Sequence, residues 1–302
     1  MNTETKHKKF LTVYKLTAIA LALISAALCA VCTTFFYDYS PGYFKDSTLC
    51  SVFSTVLAVA VVFALSSFFV KRKTFKLNAP DSTSSPGFIS LIPACGFVFY
   101  AITIFSQAIN TSKNKYMLMA HAIFALVALA YFLLRSLDTN ISDNVISIIG
   151  LASVLCPMLI AIRSYFDYFS VMNSPEKVYL QITTVTFALY IINETRFILE
   201  EPYHRFYLAL LGIILPISSC YTVNKIFIIA NLKNKVKYED IGLCVLMASI
   251  ALYSFCRIAF SSIKSSDGDA VEDAAEDSLG AANNQINDGK AEPENPDFEA
   301  NT

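Results

Sequence analysis

The sequence predicts an all-α membrane protein with about eight transmembrane helices and an acidic, water-soluble C-terminal tail. Of its 302 residues 55% are hydrophobic and 16% are charged, a balance outside the usual range of soluble domains. Long apolar runs fill the first 262 residues, and most have about the 20 residues that a membrane-spanning helix needs. These runs lack the strict alternation of β-barrel strands, so we expect a helical bundle over residues 10–263.

The individual helices are placed by the centres of the apolar runs and by the polar segments between them. The eight predicted spans are 10–36, 48–70, 87–109, 116–134, 144–162, 178–198, 206–230 and 240–262.

The first span follows a basic segment, residues 1–9, which contains Lys6, Lys8 and Lys9. A secretory signal begins in a similar way, but this apolar run is longer than the hydrophobic region of a signal peptide, so we expect an uncleaved helix. Basic residues favour the cytoplasmic side of a membrane. With eight spans, both termini are then predicted to be cytoplasmic, in a plasma-membrane protein. The three lysines of the 231–239 loop oppose this orientation.

The tail, residues 264–302, contains eleven Asp/Glu residues and two lysines, a net charge of −9. Such a composition cannot bury enough apolar surface to offset the entropy lost on ordering, so the sequence predicts disorder. The tail is either a solubilising extension or a docking segment for a basic cytoplasmic protein. The lipid bilayer is the other expected partner, nucleic acid is not expected, and the sequence does not specify a small-molecule substrate.

Several landmarks recur at a nearly constant spacing, which predicts two tandem four-helix repeats, 10–135 and 140–262. Pro93 and Pro216 are 123 residues apart, and Arg135 and Arg257 are 122 apart. An even number of helices per copy would insert both copies in the same direction. Chance agreement is the alternative, because arginines near helix ends are common.

Polar residues inside a bilayer are costly, and they mark functional sites by default. Glu194 on span six needs a partner, for which Lys71 and Arg72 are candidates. The alternative to a gate or binding site is interfacial charge that reaches the lipid headgroups. Eight residues of spans six and seven form the candidate polar path: Thr183, Thr186, Tyr190, Asn193, Glu194, Arg196, Asn224 and Lys225.

Asn224 and Lys225 follow Pro216 within span seven. A kink at this proline would let both residues line an aqueous vestibule. Alternatively, span seven ends near Val223 and Lys225 extends outward to the headgroups.

Asp38 and Asp167 follow spans one and five in similar aromatic sequences. The duplication makes them symmetric, so we expect them either to flank an outer entrance or to cap helix ends.

Catalytic and metal-binding patterns do not emerge from the sequence. The Cys29/Cys32 pair has no histidine or carboxylate nearby and is interpreted as packing residues. His121 has no second ligand at metal-binding spacing. We therefore expect no metal, no cofactor and no enzymatic activity. The sequence favours a membrane anchor, scaffold or sensor, and the alternative is a small secondary transporter.

Overall fold

The computed structural model describes residues 3–39, 42–70, 75–78, 87–110, 115–137, 141–166, 174–199, 202–231 and 238–264. These ranges are almost entirely helical, and seven of their helical segments are long and apolar enough to cross a membrane. The predicted fold class, an all-α polytopic membrane protein, is confirmed. The tail beyond Lys264, the basic residues Lys71 and Arg72, and the 232–237 lysine loop lie outside the described residues.

Nine α-helices and one short β-hairpin make up the described ranges. In chain order they are α1 (Thr3–Phe36), β1 (Tyr37–Asp38), β2 (Tyr43–Phe44), α2 (Thr48–Ala64), α3 (Leu91–Asn110), α4 (Lys115–Ser136), α5 (Asp143–Ser153), α6 (Leu155–Tyr165), α7 (Pro175–Ile198), α8 (His204–Asn231) and α9 (Tyr238–Phe260). A 3₁₀ turn over Leu65–Phe69 extends α2, and another over Gly87–Ser90 precedes α3.

One end of the bundle, which we call the terminal face, brings together the two ends of the described chain. Leu77 forms an antiparallel bridge with Ile263, just after α9. The Leu77 amide donates a hydrogen bond of 3.2 Å to Nδ1 of His204, the first residue of α8. The ring of His7 on α1 meets Phe75 edge-on at 5.7 Å. The start of α1 and the end of α9 therefore lie on the same face.

The opposite end, the distal face, collects the end of α8 and the starts of α7 and α9. The Asn231 amide donates a 2.7 Å hydrogen bond to the Tyr39 hydroxyl. Lys225 pairs with Glu176 and with Asp240. Because α5 and α6 together form one crossing, the nine helices traverse the bundle eight times, the number that the sequence predicts.

Helix α7 is the crossing that is not apolar enough to be recognised by composition alone. Ser174 caps its N-terminus, with a hydroxyl that accepts from the Lys177 amide. Pro175 occupies the first turn, where its missing amide proton costs nothing. Its buried residues include threonines, Tyr190, Asn193 and Glu194. A helix with these residues is stable in a membrane only when neighbouring helices surround it.

Span five differs from the prediction because it is interrupted at Val154, between α5 and α6. Pro157 has no amide proton to donate to the Ser153 carbonyl four residues earlier, so the helix cannot run through undisturbed. Helix α1 also begins at Thr3 rather than at residue 10, so most of the basic segment is helical.

Helix α8 lies at the centre and packs against α1, α2, α7 and α9. Helix α3 packs against α4 on one side and α9 on the other. Small residues allow the close approaches, as in other membrane bundles: Gly96 faces Ser249, and Gly242 faces Thr103, which aligns α3 and α9 antiparallel.

The four-helix duplication stays a prediction. Two helix pairs recur in the expected positions, since α1 packs against α2 as α6 does against α7, and α3 against α4 as α8 does against α9. Helices α7 and α8 also pack closely, but within the described ranges their counterparts α2 and α3 touch at most marginally. Superposition of 10–135 on 140–262 would test the relation.

Candidate functional site

A buried ion pair lies near the terminal face. The Glu194 carboxylate on α7 and the Arg257 guanidinium on α9 are 3.6 Å apart, and neither side chain is accessible to solvent. Arg257 donates a 2.9 Å hydrogen bond to the Ser90 hydroxyl, just before α3. Its guanidinium also lies 5.1 Å from the ring centroid of Tyr253, within the range of a cation–π contact. The pair therefore joins α7, α9 and the start of α3.

Three tyrosines extend this cluster into a hydrogen-bonded chain. The Tyr253 hydroxyl donates to Glu194 at 2.7 Å, and the Tyr190 hydroxyl lies 3.0 Å from Tyr253 and 3.1 Å from Tyr207. Each hydroxyl has one proton to donate, and an ionised carboxylate only accepts. Since Tyr253 donates to Glu194, Tyr190 donates to Tyr253 and Tyr207 donates to Tyr190. All three hydroxyl dipoles thus point toward the negative charge of Glu194.

The cluster is set back from the terminal face by about one helical turn. Glu194 lies four residues before the end of α7, and Arg257 lies three residues before the end of α9. The segment 75–78 covers this end of the bundle, where Leu77 pairs with Ile263 and both Phe75 and Leu77 are buried. The charges are therefore held in a dry environment, where their attraction is much stronger than in water.

A second charged cluster lies at the distal face. Lys225 on α8 contacts Glu176 and is 2.8 Å from Asp240, and its own side chain is 7% exposed. The two carboxylates are 25% and 31% exposed, so they keep part of their hydration. Helix α7 separates Glu176 from Glu194 by 18 residues, or about 27 Å at 1.5 Å per residue. The bundle therefore carries charges near both faces, at opposite ends of α7.

A neighbouring ion pair reinforces the distal cluster. Arg163 near the end of α6 contacts Glu239 at the start of α9 through both of its terminal nitrogens, one of them at 2.6 Å. Such a two-point contact fixes the relative orientation of the two helices.

Seven of the eight residues of the predicted polar path are buried, and Arg196 is half-buried. Thr183, Tyr190 and Glu194 are fully buried, and Thr186 is nearly so. Within the described residues, the Thr183 hydroxyl has no hydrogen-bond partner. The face that the residue spacing predicts therefore points into the protein, between the two charged clusters.

Two other members of the predicted path have local partners. The Asn193 side chain accepts from the Tyr203 amide at 3.2 Å and donates to its carbonyl at 3.3 Å, which fixes the entry into α8. The Arg196 guanidinium lies 4.1 Å from the ring centroid of Tyr203.

Asn224 and Lys225 are buried within α8, which continues to Asn231. The alternative in which span seven ends near Val223 is therefore wrong. The Thr33 hydroxyl on α1 lies 3.3 Å from Oδ1 of Asn224. Cys29, Cys32, Cys50 and Cys220 pack together nearby with Phe53. In the described ranges no cluster of His, Cys, Asp or Glu has the arrangement of a metal site.

Asp38 lies at the distal face in the β-hairpin, where it pairs with Tyr43. Gly42 closes the hairpin with a φ of 75°, which favours glycine. The neighbouring Tyr37 is buried, and loss of hydration raises the pKa of its phenol above the ordinary value. Asp167, the predicted symmetric partner, lies outside the described residues, so the entrance stays a prediction.

Arg257 is a partner of Glu194 that the sequence analysis does not propose, and the candidate partners Lys71 and Arg72 lie outside the described residues. In the sequence, Arg257 is used only for its spacing from Arg135 in the predicted repeats, although it lies inside an apolar run. The rule that singled out Glu194, that intramembrane charge needs a partner, applies equally to Arg257. Glu176 and Asp240 were missed because they lie at the very starts of their helices, where carboxylates commonly stabilise the N-terminus.

Comparison with known proteins adds no further assignment. No family model matches the chain, and no curated protein or solved structure matches it either.

Proposed function

We propose that this protein is a non-enzymatic membrane anchor, scaffold or sensor that presents its acidic tail to a basic partner in the cytoplasm. The observation that carries the proposal is the complete burial of Glu194 and Arg257 against each other. Buried charge pairs contribute little net stability but can fix one arrangement of the helices. A scaffold needs such an arrangement, whereas a transport path needs water to reach its polar groups.

Charge and topology support a cytoplasmic location for the tail. Lys6, Lys8 and Lys9 lie at the start of α1, on the terminal face where α9 ends. The preference of basic residues for the inner side supports a cytoplasmic location of this face. We propose the plasma membrane as the location of the protein. The tail then carries its net charge of −9 into the compartment where a basic protein segment would meet it.

A secondary transporter is the second candidate, and one observation favours it. Thr183, Thr186 and Tyr190 share a buried face of α7 between the charges at its two ends. A transporter in an occluded conformation would bury such a path and open it to one face at a time.

Cysteine accessibility distinguishes the two functions. We would place single cysteines at Thr183 and Thr186, in a chain whose eight native cysteines are replaced, and label intact vesicles with a membrane-impermeant thiol reagent. These threonines are better positions than Glu194 or Lys225, because their replacement breaks no ion pair. Asp46→Cys, at an exposed site, is the positive control, and Val59→Cys, 51% exposed on the apolar surface, is the lipid-facing control.

A scaffold predicts no labelling at either threonine position over times that label Asp46→Cys completely. Labelling of Thr183→Cys or Thr186→Cys above the level of Val59→Cys would instead establish an aqueous path and replace the scaffold proposal by the transporter.

The tail itself is tested by deletion of residues 265–302 and by a full-length chain with its eleven tail acids changed to Asn or Gln. Both variants should lose binding to a polylysine peptide added to inside-out vesicles. Binding of the peptide by the unaltered chain should weaken as salt is added, as expected for an electrostatic interaction. Unchanged binding by the neutral tail would contradict a charge-based docking role.

A further inference from the structure

An apolar groove of 320 Å³ runs along the outside of α8 between α1 and α9. Four residues from each of the three helices line it, and none of them is charged. Helices α1 and α9 scarcely touch each other, whereas both pack on α8, so the groove is a gap between two helices with a third as its floor. Small side chains, among them Ala22, Ala26, Ala248 and Ala251, keep it open.

The two hydroxyls on the floor of the groove are already satisfied within α8. Ser219 donates to the Leu215 carbonyl at 2.7 Å, and Thr222 donates to the Ser218 carbonyl at 2.8 Å. A hydroxyl that donates to a carbonyl of its own helix has its donor satisfied without a further partner. The groove therefore suits a hydrocarbon chain, and at its depth in the membrane the surrounding solvent is lipid.

Lys15 lies just beyond one end of this groove. Lys15 precedes the groove residues Ile19, Ala22 and Ala26 by four, seven and eleven positions, which places it on the same face of α1. Its amine donates a 3.0 Å hydrogen bond to the carbonyl of Ala259, in the last turn of α9. Lys15 therefore bridges α1 and α9 on the terminal side of the groove, where both helices approach the headgroup region.

We propose that this groove binds a phospholipid of the terminal-face leaflet, with an acyl chain along α8 and its anionic phosphate headgroup at Lys15. An ammonium group has three donors, and the Ala259 carbonyl takes one of them. The other two can meet phosphate oxygens. One apolar groove and one cation at headgroup level match the two parts of such a lipid.

The chain contains no tryptophan, so an introduced one is a unique fluorescent reporter. Leu252→Trp places it in the groove, and Phe99→Trp is a matched control on lipid-exposed α3. Leu252 lies eight residues before the end of α9, and Phe99 lies eight residues after the start of α3, so the two depths are similar. Vesicles of phosphatidylcholine would contain a minor fraction of brominated phosphatidylglycerol or brominated phosphatidylcholine as quencher.

We expect the quenching of Leu252→Trp by brominated phosphatidylglycerol to correspond to a local fraction of this lipid roughly fivefold above its bulk fraction. This is the enrichment that the attraction of one lysine for an anionic lipid provides. Phe99→Trp should report the bulk fraction for both lipids. Addition of Lys15→Gln to Leu252→Trp should abolish the enrichment, and Lys15→Arg should retain it.

Three outcomes would overturn the proposal. Equal quenching of Leu252→Trp by the two lipids would remove the role of Lys15. Weaker quenching of Leu252→Trp than of Phe99→Trp by both lipids would show that protein, such as a second copy of this chain, covers the groove. The larger side chain of Ala251→Leu fills the groove, so unchanged enrichment at Leu252→Trp in a chain that also carries Ala251→Leu would place the lipid elsewhere.

Discussion

The Glu194 carboxylate and the Arg257 guanidinium lie 3.6 Å apart, fully buried and one helical turn from the terminal face. Their residues are 63 positions apart in the sequence, on helices that traverse the membrane in the same direction. Since neither charge is accessible to solvent, each helps to compensate the burial of the other. The pair should therefore fix how α7 and α9 are arranged relative to each other.

Removal of both charges should destabilise the protein by less than the sum of the two single removals. We expect Glu194→Gln and Arg257→Met each to lower the free energy of unfolding by about 3–5 kcal/mol, because each leaves the other charge buried without its ion-pair partner. The double variant should lose less than the sum of the two by at least about 2 kcal/mol. Thermal and denaturant unfolding in detergent micelles measure these values.

Lys45→Gln is the control for this cycle, because Lys45 is an exposed cation outside the helices and its loss should change the stability by less than about 0.5 kcal/mol. Additive effects of Glu194→Gln and Arg257→Met would show that the two charges do not depend on each other.

The direction of the tyrosine chain predicts an order of effects. Tyr253→Phe removes the donor to an ionised carboxylate, so we expect a loss of about 1–3 kcal/mol. Tyr207→Phe makes the same chemical change at the far end of the chain, where the acceptor that loses its donor is the neutral Tyr190 hydroxyl, and should cost about 0.5–1.5 kcal/mol. The same unfolding assays compare the two variants. An equal or larger loss for Tyr207→Phe would contradict the assigned direction.

The sequence predicted those parts of the fold that depend on local composition. Eight apolar or amphipathic runs of membrane length gave the eight crossings, and the spacing of Thr183, Thr186 and Tyr190 correctly placed one face of α7 in the protein interior. The break at Val154 was also local, and Pro157 was its available signal.

The contacts between distant helices were not predicted, for a physical reason. In a bilayer every crossing is surrounded by apolar groups, so hydrophobicity does not tell which helices are neighbours. The placement of α9 between α3 and α8 decides that Glu194 meets Arg257 and that Lys225 meets Asp240. The spacing of residues along each helix contains none of this information.

In the distal cluster, loss of Lys225 should cost more stability than loss of Asp240, because Lys225 pairs with two carboxylates. Lys225→Met leaves Glu176 and Asp240 close together without their cation, and we expect a loss of about 1–3 kcal/mol in the free energy of unfolding. Asp240→Asn leaves the Lys225–Glu176 pair in place, and its carboxylate is 31% exposed, so it should cost less than about 1 kcal/mol.

Denaturant unfolding of the two variants beside Lys45→Met tests this asymmetry. A loss in Asp240→Asn as large as in Lys225→Met would mean that the lysine depends on Asp240 alone.

Helix α3 approaches α9 closely at Gly96 and Ser249. We therefore expect Gly96→Ala to lower the stability, although helix propensity alone would raise it. Alanine favours a helix over glycine by up to about 1 kcal/mol, so Gly96→Ala would be stabilising at a free surface. Here a Cβ atom on Gly96 would lie only 2.8 Å from the Cβ of Ser249. We expect this overlap to dominate and to lower the free energy of unfolding by about 1–3 kcal/mol.

Ser249→Gly provides both the control and the rescue. Alone it should cost up to about 1 kcal/mol, because glycine weakens α9. Combined with Gly96→Ala it moves the side chain from one helix to the other, restores the fit, and should make the double variant more stable than Gly96→Ala alone. Unfolding in micelles measures all three. If Gly96→Ala raised the stability, α3 and α9 would lie further apart than the contact between Gly96 and Ser249 requires.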